Sequence, residues 1–127
     1  MTLEHVALNL PDPQGAATWY AQNLGFRIVR SVEKAPYIHF LADDKGSMLE
    51  VYHNPAGAVP DYGATSPYPL HLAFSVADIE VERDRLTAAG ATVEGEQETT
   101  PAGDKLLFMR DPWGVPLQLV SRATPLL

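Results

Sequence analysis

Cysteine is absent from the 127-residue chain, so there is no disulfide framework, no thiolate nucleophile and no cysteine-based zinc site. A reducing compartment fits that absence. Positive charge is scarce: nine Lys and Arg stand against sixteen Asp and Glu, a net charge of −7. Such a surface repels nucleic acid and anionic membrane, and neither is expected as a partner. No apolar run approaches the ~20 residues of a membrane span. The opening MTLEHVALNL lacks a basic n-region and a cleavage site, so a signal peptide is not expected and a cytoplasmic location is. The G-x-S-x-G, Walker, G-x-G-x-x-G and H-E-x-x-H patterns are missing too, together with the hydrolase, nucleotide and zinc-protease chemistry they carry. What remains, 46% hydrophobic and 20% charged residues, is enough to bury one core without metals or disulfides to hold it together.

The informative presence is a repeat. EHVALNLPD from Glu4 and LHLAFSVAD from Leu70 superimpose His5 on His71 and Asp12 on Asp78 without a gap, an offset of 66 residues. After each Asp comes a helix-like stretch ending at Gly25 or Gly90. The aspartates suit N-caps, Pro13 suits the first turn and the glycines suit the C′ position. Strand-like runs follow each helix: FRIVRSV, YIHFLA and SMLEVYH in one half, ATVEGEQ, KLLFMR and VPLQLVS in the other. DDKG (43–46) and DPWG (111–114) have the composition of hairpin turns. The predicted fold class is α+β: two tandem βαβββ modules, about 3–55 and 69–121, forming a curled mixed sheet with the helices on its outer face. The Pro- and Gly-rich stretch 56–68 is expected to link them over the surface. Half a chain holds too little core to stand alone, so a single domain over 1–127 is expected.

Strand alternation assigns the faces. Val6, Leu8 and Leu10 share one side of the first strand, and His5, Ala7 and Asn9 the other. In the repeat Leu72, Phe74 and Val76 oppose His71, Ala73 and Ser75. In the closing strands Leu49 and Val51 oppose Met48, Glu50 and Tyr52, while Leu117 and Leu119 oppose Gln118 and Val120. Four polar residues thus take equivalent places away from the helices: His5, Glu50, His71 and Gln118. Two imidazoles, a carboxylate and an amide oxygen suit a divalent metal (Fe, Mn, Co, Ni or Zn), with positions left open for water or substrate. Any one histidine on a strand is more often a hydrogen-bonded residue than a ligand. It is the repeat-related placement of all four, among small neighbours, that points to a site. His39 has no repeat partner and His53 has the wrong parity relative to Glu50, so both are read as structural. Trp19 and Tyr20 are assigned to core or interface. EVERDRL (80–86) is the wet face of a helix, with Ile79 and Leu86 turned inward.

The paired modules, the opening LEHVALNLPD, the repeat HLAFSVAD and the closing FMRDPWGVPLQLV resemble the vicinal-oxygen-chelate superfamily over about residues 3–121. Its members include glyoxalase I, fosfomycin-resistance enzymes, methylmalonyl-CoA epimerases, extradiol dioxygenases and bleomycin-resistance proteins. The resemblance implies metal ligands at His5, Glu50, His71 and Gln118. It also implies a homodimer in which His5 and Glu50 of one chain meet His71 and Gln118 of the other. In glyoxalase I-like members the last position is a glutamate that moves the substrate proton. Gln118 cannot accept a proton at neutral pH, which leaves Glu50 as the candidate catalytic base. Asn54 matches an asparagine that helps bind glutathione, and Tyr52 is placed with it as substrate-binding. Arginines expected at positions 9 and 67 are Asn9 and Pro67, which argues against glutathione conjugates.

The function that follows is a metal-dependent small-molecule enzyme of the glyoxalase-like class. Its lyase or isomerase chemistry would pass through a metal-chelated, enolate-like intermediate without glutathione. The alternative is a non-catalytic protein that sequesters a drug or metabolite, in the manner of bleomycin-resistance proteins. An extradiol dioxygenase fits less well, because those chains are longer and place a carboxylate where Gln118 stands.

Overall fold

Asp12 and Asp78 begin the two helices as their positions predict. In the computed structural model, which describes residues 1–127, α1 spans Pro13–Asn23 and α2 spans Ile79–Ala88. The Asp12 carboxylate accepts the Gly15 N–H at 3.0 Å, and that of Asp78 accepts those of Glu80 and Val81 at 2.9 and 3.1 Å. Each cap satisfies donors that the first helical turn leaves without a backbone partner. Gly25 and Gly90, at φ +75° and +103°, let the chain leave each helix in the left-handed region.

The chain divides into two compact units, Met1–Pro60 and Asp61–Leu127. The first holds β1 (Val6–Asn9), β2 (Arg27–Ser31), β3 (His39–Ala42) and β4 (Met48–Tyr52), in the order β1-β4-β3-β2. The second holds β5 (Leu72–Ser75), β6 (Thr92–Thr99), β7 (Lys105–Arg110) and β8 (Pro116–Ser121), in the order β5-β8-β7-β6. Each sheet is mixed: β1 lies parallel to β4 and β5 parallel to β8, while the remaining pairs are antiparallel. This is the predicted α+β arrangement of two βαβββ modules. Its parallel pair places Ala7 beside Glu50 and Ala73 beside Gln118, so small residues flank both predicted polar donors.

The core lies on the predicted faces. In the first unit Leu8, Leu10, Leu41, Leu49 and Val51 are buried, as are Ala16, Ala17 and Tyr20 of α1. In the second, Leu107, Met109, Leu117 and Leu119 are buried, with Ile79 and Leu86 of α2. Two positions depart from strict alternation. Val6 is 39% exposed because β1 is an edge strand and Val6 is its first residue. Val120, expected on the open face, is only 4% exposed; it sits on interior strand β8 between Ser75 of β5 and Leu106 of β7.

The connecting stretch 56–68 has structure of its own. Asp61 caps a 3₁₀ turn over Tyr62–Ala64, and Tyr62 is buried. The Arg110 guanidinium donates to the carbonyls of Tyr62 and Thr65 at 2.7 Å each and to that of Gly114 at 3.0 Å. Gly114, at φ +85°, lies so near the turn that a side chain there would put its Cβ 2.7 Å from the Gly63 nitrogen. The backbones can approach this closely only because position 114 carries no Cβ. Neither helix is long and apolar enough to cross a membrane.

Candidate metal and substrate site

In the first unit β1 and β4 bring two of the predicted donors together. His5 immediately precedes β1 and Glu50 is central in β4; His5 Nε2 lies 3.2 Å from Glu50 Oε2. Their side chains are 29% and 16% exposed, a partly sheltered pair. The other ring nitrogen, Nδ1, donates to Glu4 Oε2 at 2.6 Å. Both ring nitrogens thus face carboxylate oxygens, which only accept, and the imidazole sits between two acidic groups. Two donor atoms bound to one ion at ~2.0–2.2 Å would stand about 3 Å apart. The pair already has that separation and fits a divalent ion.

The second unit repeats the theme with different parts. His71 Nδ1 donates to the backbone carbonyl of Pro67 at 2.9 Å, which leaves Nε2 as the electron-pair donor. The edge of the His71 ring meets Phe108 with centroids 5.2 Å apart and planes at 82°. His5 and Phe40 meet in the same way, at 5.3 Å and 79°. Phe40 is the cross-strand partner of Glu50, and Phe108 that of Gln118. Each half therefore carries a histidine, an aromatic ring and an oxygen donor in matching places. The two phenylalanines were not singled out from the sequence, although the 68-residue offset between Glu50 and Gln118 also maps Phe40 onto Phe108. Glu4 was missed because its repeat counterpart is Leu70, so no pattern marked it. No three His, Asp or Glu side chains converge as a ready metal-holding group; the predicted donors seen in direct contact are His5 and Glu50 of the first unit.

Arg110 holds this second half in place. It fixes Tyr62 and Thr65, and Pro67, whose carbonyl orients His71, follows two residues later. Its Nη2 also donates to Glu94 Oε1 at 2.9 Å, and its Nε makes an ion-pair contact with Oε2, which takes no hydrogen bond. Beside it a cavity of about 270 Å³ is lined by Gln118, Phe108, Leu106 and Tyr68, with Glu94, Glu96 and Glu98 at its polar side. The three acids alternate along β6, which shifts register against β7 between Glu94 and Glu98. Glu94 is matched by Arg110, whereas Glu96 and Glu98 have no cationic partner.

The predicted substrate residues have local duties. Asn9 accepts the Asn54 N–H at 2.9 Å and donates to the carbonyls of Asn54 and Gly57 at 3.1 and 3.3 Å. The Asn54 side-chain oxygen accepts the Ala56 N–H at 2.9 Å, so only its amide N–H groups face outward. Tyr52, the register partner of Asn9, is half-buried, and its carbonyl takes the Leu10 N–H at 2.8 Å. His39 is buried and donates to the Tyr37 carbonyl at 2.8 Å, and His53 donates to that of Leu10 at 2.9 Å. Both histidines tie the backbone together, as read from the sequence.

A family profile for the Glyoxalase/Bleomycin resistance protein/Dioxygenase superfamily matches residues 2–119. The chain belongs to that superfamily. Among curated relatives, a probable lactoylglutathione lyase of Vibrio cholerae is 28% identical, with 92% of this chain and 88% of that one covered. An ethylmalonyl-CoA/methylmalonyl-CoA epimerase of Cereibacter sphaeroides is 29% identical, covering 84% and 86%. Among solved structures, a glyoxalase family protein from Bacillus cereus superimposes with a TM-score of 0.80 over 98% of this chain and 95% of that one. At 18% identity that likeness shows the fold of this superfamily member. The relatives' names cover different reactions, so the activity has to be argued from the site.

Proposed function

We propose that the protein is a metal-dependent small-molecule enzyme, a lyase or isomerase of the glyoxalase-like class that does not use glutathione. The observation that carries this reading is the His5–Glu50 pair, 3.2 Å apart, echoed by His71, whose Nδ1 is held on the Pro67 carbonyl. His5, Glu50, His71 and Gln118 would hold a divalent ion, each unit supplying two of the four. When bound, the ion supplies Lewis acidity to an oxygen of the substrate.

The chain's own residues do the rest. Gln118 contributes a neutral oxygen and no base. Glu50 is the carboxylate placed to accept a proton from substrate, and it must loosen from the ion to do so. Phe108, Leu106 and Tyr68 give an apolar wall for the substrate body. Tyr52, on the Glu50 face of β4, and the outward amide N–H groups of Asn54 offer polar contacts. Glutathione and coenzyme A thioesters are anionic. The unpaired carboxylates of Glu96 and Glu98, with Asn9 and Pro67 where cationic anchors would stand, oppose their binding. A second reading, sequestration of a drug or metabolite without turnover, is favoured by one feature: an amide at 118 in place of a base.

The test is metal linkage. Elemental analysis of protein incubated with Ni, Zn, Mn or Co should find one bound ion per quartet, and the melting temperature should rise with free metal. His5→Ala and His71→Ala should abolish the rise while leaving the metal-free melting curve in place. An unchanged curve with every metal would favour the sequestering reading.

A further inference from the structure

Arg110 divides its donors between two kinds of partner. Nη1 donates to the Tyr62 and Gly114 carbonyls at 2.7 and 3.0 Å, and Nη2 donates to the Thr65 carbonyl at 2.7 Å. Nη2 also donates to Glu94 Oε1 at 2.9 Å, while Nε faces Glu94 Oε2 in an ion pair. The Nε–Nη2 edge of the guanidinium thus meets both oxygens of a single carboxylate. That two-point pairing is how an arginine takes any carboxylate or phosphate. The Arg110 side chain is only 13% exposed, and a sheltered cation left unpaired is costly. The three carbonyls bring no net charge, so Glu94 supplies the counter-charge. Glu94 also lines the cavity that Phe108, Leu106, Tyr68 and Gln118 form. Glu94, Phe108 and Gln118 are successive register partners across β6, β7 and β8. The arginine's pairing edge therefore lies at the cavity wall, in the row that carries Gln118.

We infer that Arg110 is an anion seat filled from within the chain by Glu94, and that Glu94 is a specificity-determining residue. It denies the seat to the carboxylate or phosphate groups of a small molecule. With Glu94 in place, the cavity presents carboxylates and an arginine edge already paired. Without it, the Nε–Nη2 edge opens on the cavity and takes a ligand carboxylate in the same two-point way. The backbone contacts of Arg110 keep the guanidinium where it is in either case. This inference rests on the reading of the cavity as the substrate site, and it names one side chain behind the selectivity of that site.

Glu94→Ala removes the internal carboxylate and leaves the three carbonyl partners of Arg110. Its melting temperature is followed in sodium acetate and in sodium chloride at equal ionic strength, without metal. Wild type and the double variant Glu94→Ala/Arg110→Gln are run beside it. Acetate should raise the Glu94→Ala melting temperature with concentration, as a ligand of the folded state does. Wild type and the double variant should respond alike to the two salts. The acetate affinity of Glu94→Ala should exceed that of wild type by about 10-fold or more, the factor that one hydrogen bond to a charged group supplies. Where Glu94→Ala folds too poorly to give a transition, the circular dichroism regained in acetate over chloride gives the same readout. A Glu94→Ala chain indifferent to acetate overturns the inference. So does an acetate response that wild type shares or that survives the loss of Arg110, since that is a general salt effect. No metal enters the measurement. A wild type that binds no ion would strike the metal reading and leave this result standing, and a failed acetate response would leave the metal reading standing.

Discussion

The amide at position 118 stands where glyoxalase I-like members carry a glutamate, beside the further departures Asn9 and Pro67. Gln118 occupies the register place beside Ala73 and Phe108 that Glu50 occupies beside Ala7 and Phe40. An amide and a carboxylate have nearly the same shape, but only the carboxylate takes up a proton at neutral pH. Turnover of the methylglyoxal–glutathione hemithioacetal should therefore be very low, since loss of a positioned base costs about 10²–10⁴-fold. Gln118→Glu should raise proton exchange at the substrate carbon, followed by loss of deuterium label. Wild-type turnover at ordinary enzyme rates would show that Gln118 has been misjudged. His5, Glu50, His71 and Gln118 were legible as candidates because alternation and an internal repeat both pointed to them. Glu4 and Arg110 were not, because their roles depend on which backbone atoms come near them.

At the scale of elements, caps and turns were the most legible features. The duties of Asp12, Asp78, Gly25 and Gly90 follow from backbone groups that every helix end leaves open. Val120 was placed on the open face by alternation, yet its flanking strands bury it, a result of sheet order that no single strand records. The turn between β6 and β7 carries a testable electrostatic clamp. Asp104 is held below its ordinary value of 3.8 by the hydrogen bond from Arg122 and by the Ala123 N–H. A depressed carboxylate stabilises the fold above its unfolded value, and that contribution disappears as pH falls through the folded value. Arg122→Ala should therefore lower the urea midpoint slightly at neutral pH, by the modest amount usual for exposed pairs. The gap from wild type should close well below pH 3.8. A gap that persists in acid would mean that Arg122 acts through packing.

For the whole molecule, the acidic balance of −7 and the uncompensated Glu96 and Glu98 favour neutral or cationic small molecules over polyanions. The division of donors, two in each unit, allows a quartet to be completed by a second copy of the chain, and we propose a homodimer with shared sites. His5→Ala and His71→Ala chains, unfolded and refolded together in equal amounts, would then form about half mixed dimers, each with one intact and one doubly damaged quartet. About a quarter of wild-type metal capacity should return. No recovery would mean that each chain completes its own quartet. The repeat pointed to the candidate set, whereas sharing between copies would leave no trace in one chain's residue pattern. The central claim, that these four side chains bind one ion, is tested most directly by X-ray absorption at the metal edge of Zn- or Co-loaded protein. The account predicts two imidazoles with oxygen neighbours around the ion in wild type, and no such site in His5→Ala or His71→Ala. A spectrum of oxygen scatterers alone, unchanged in both histidine variants, would contradict it.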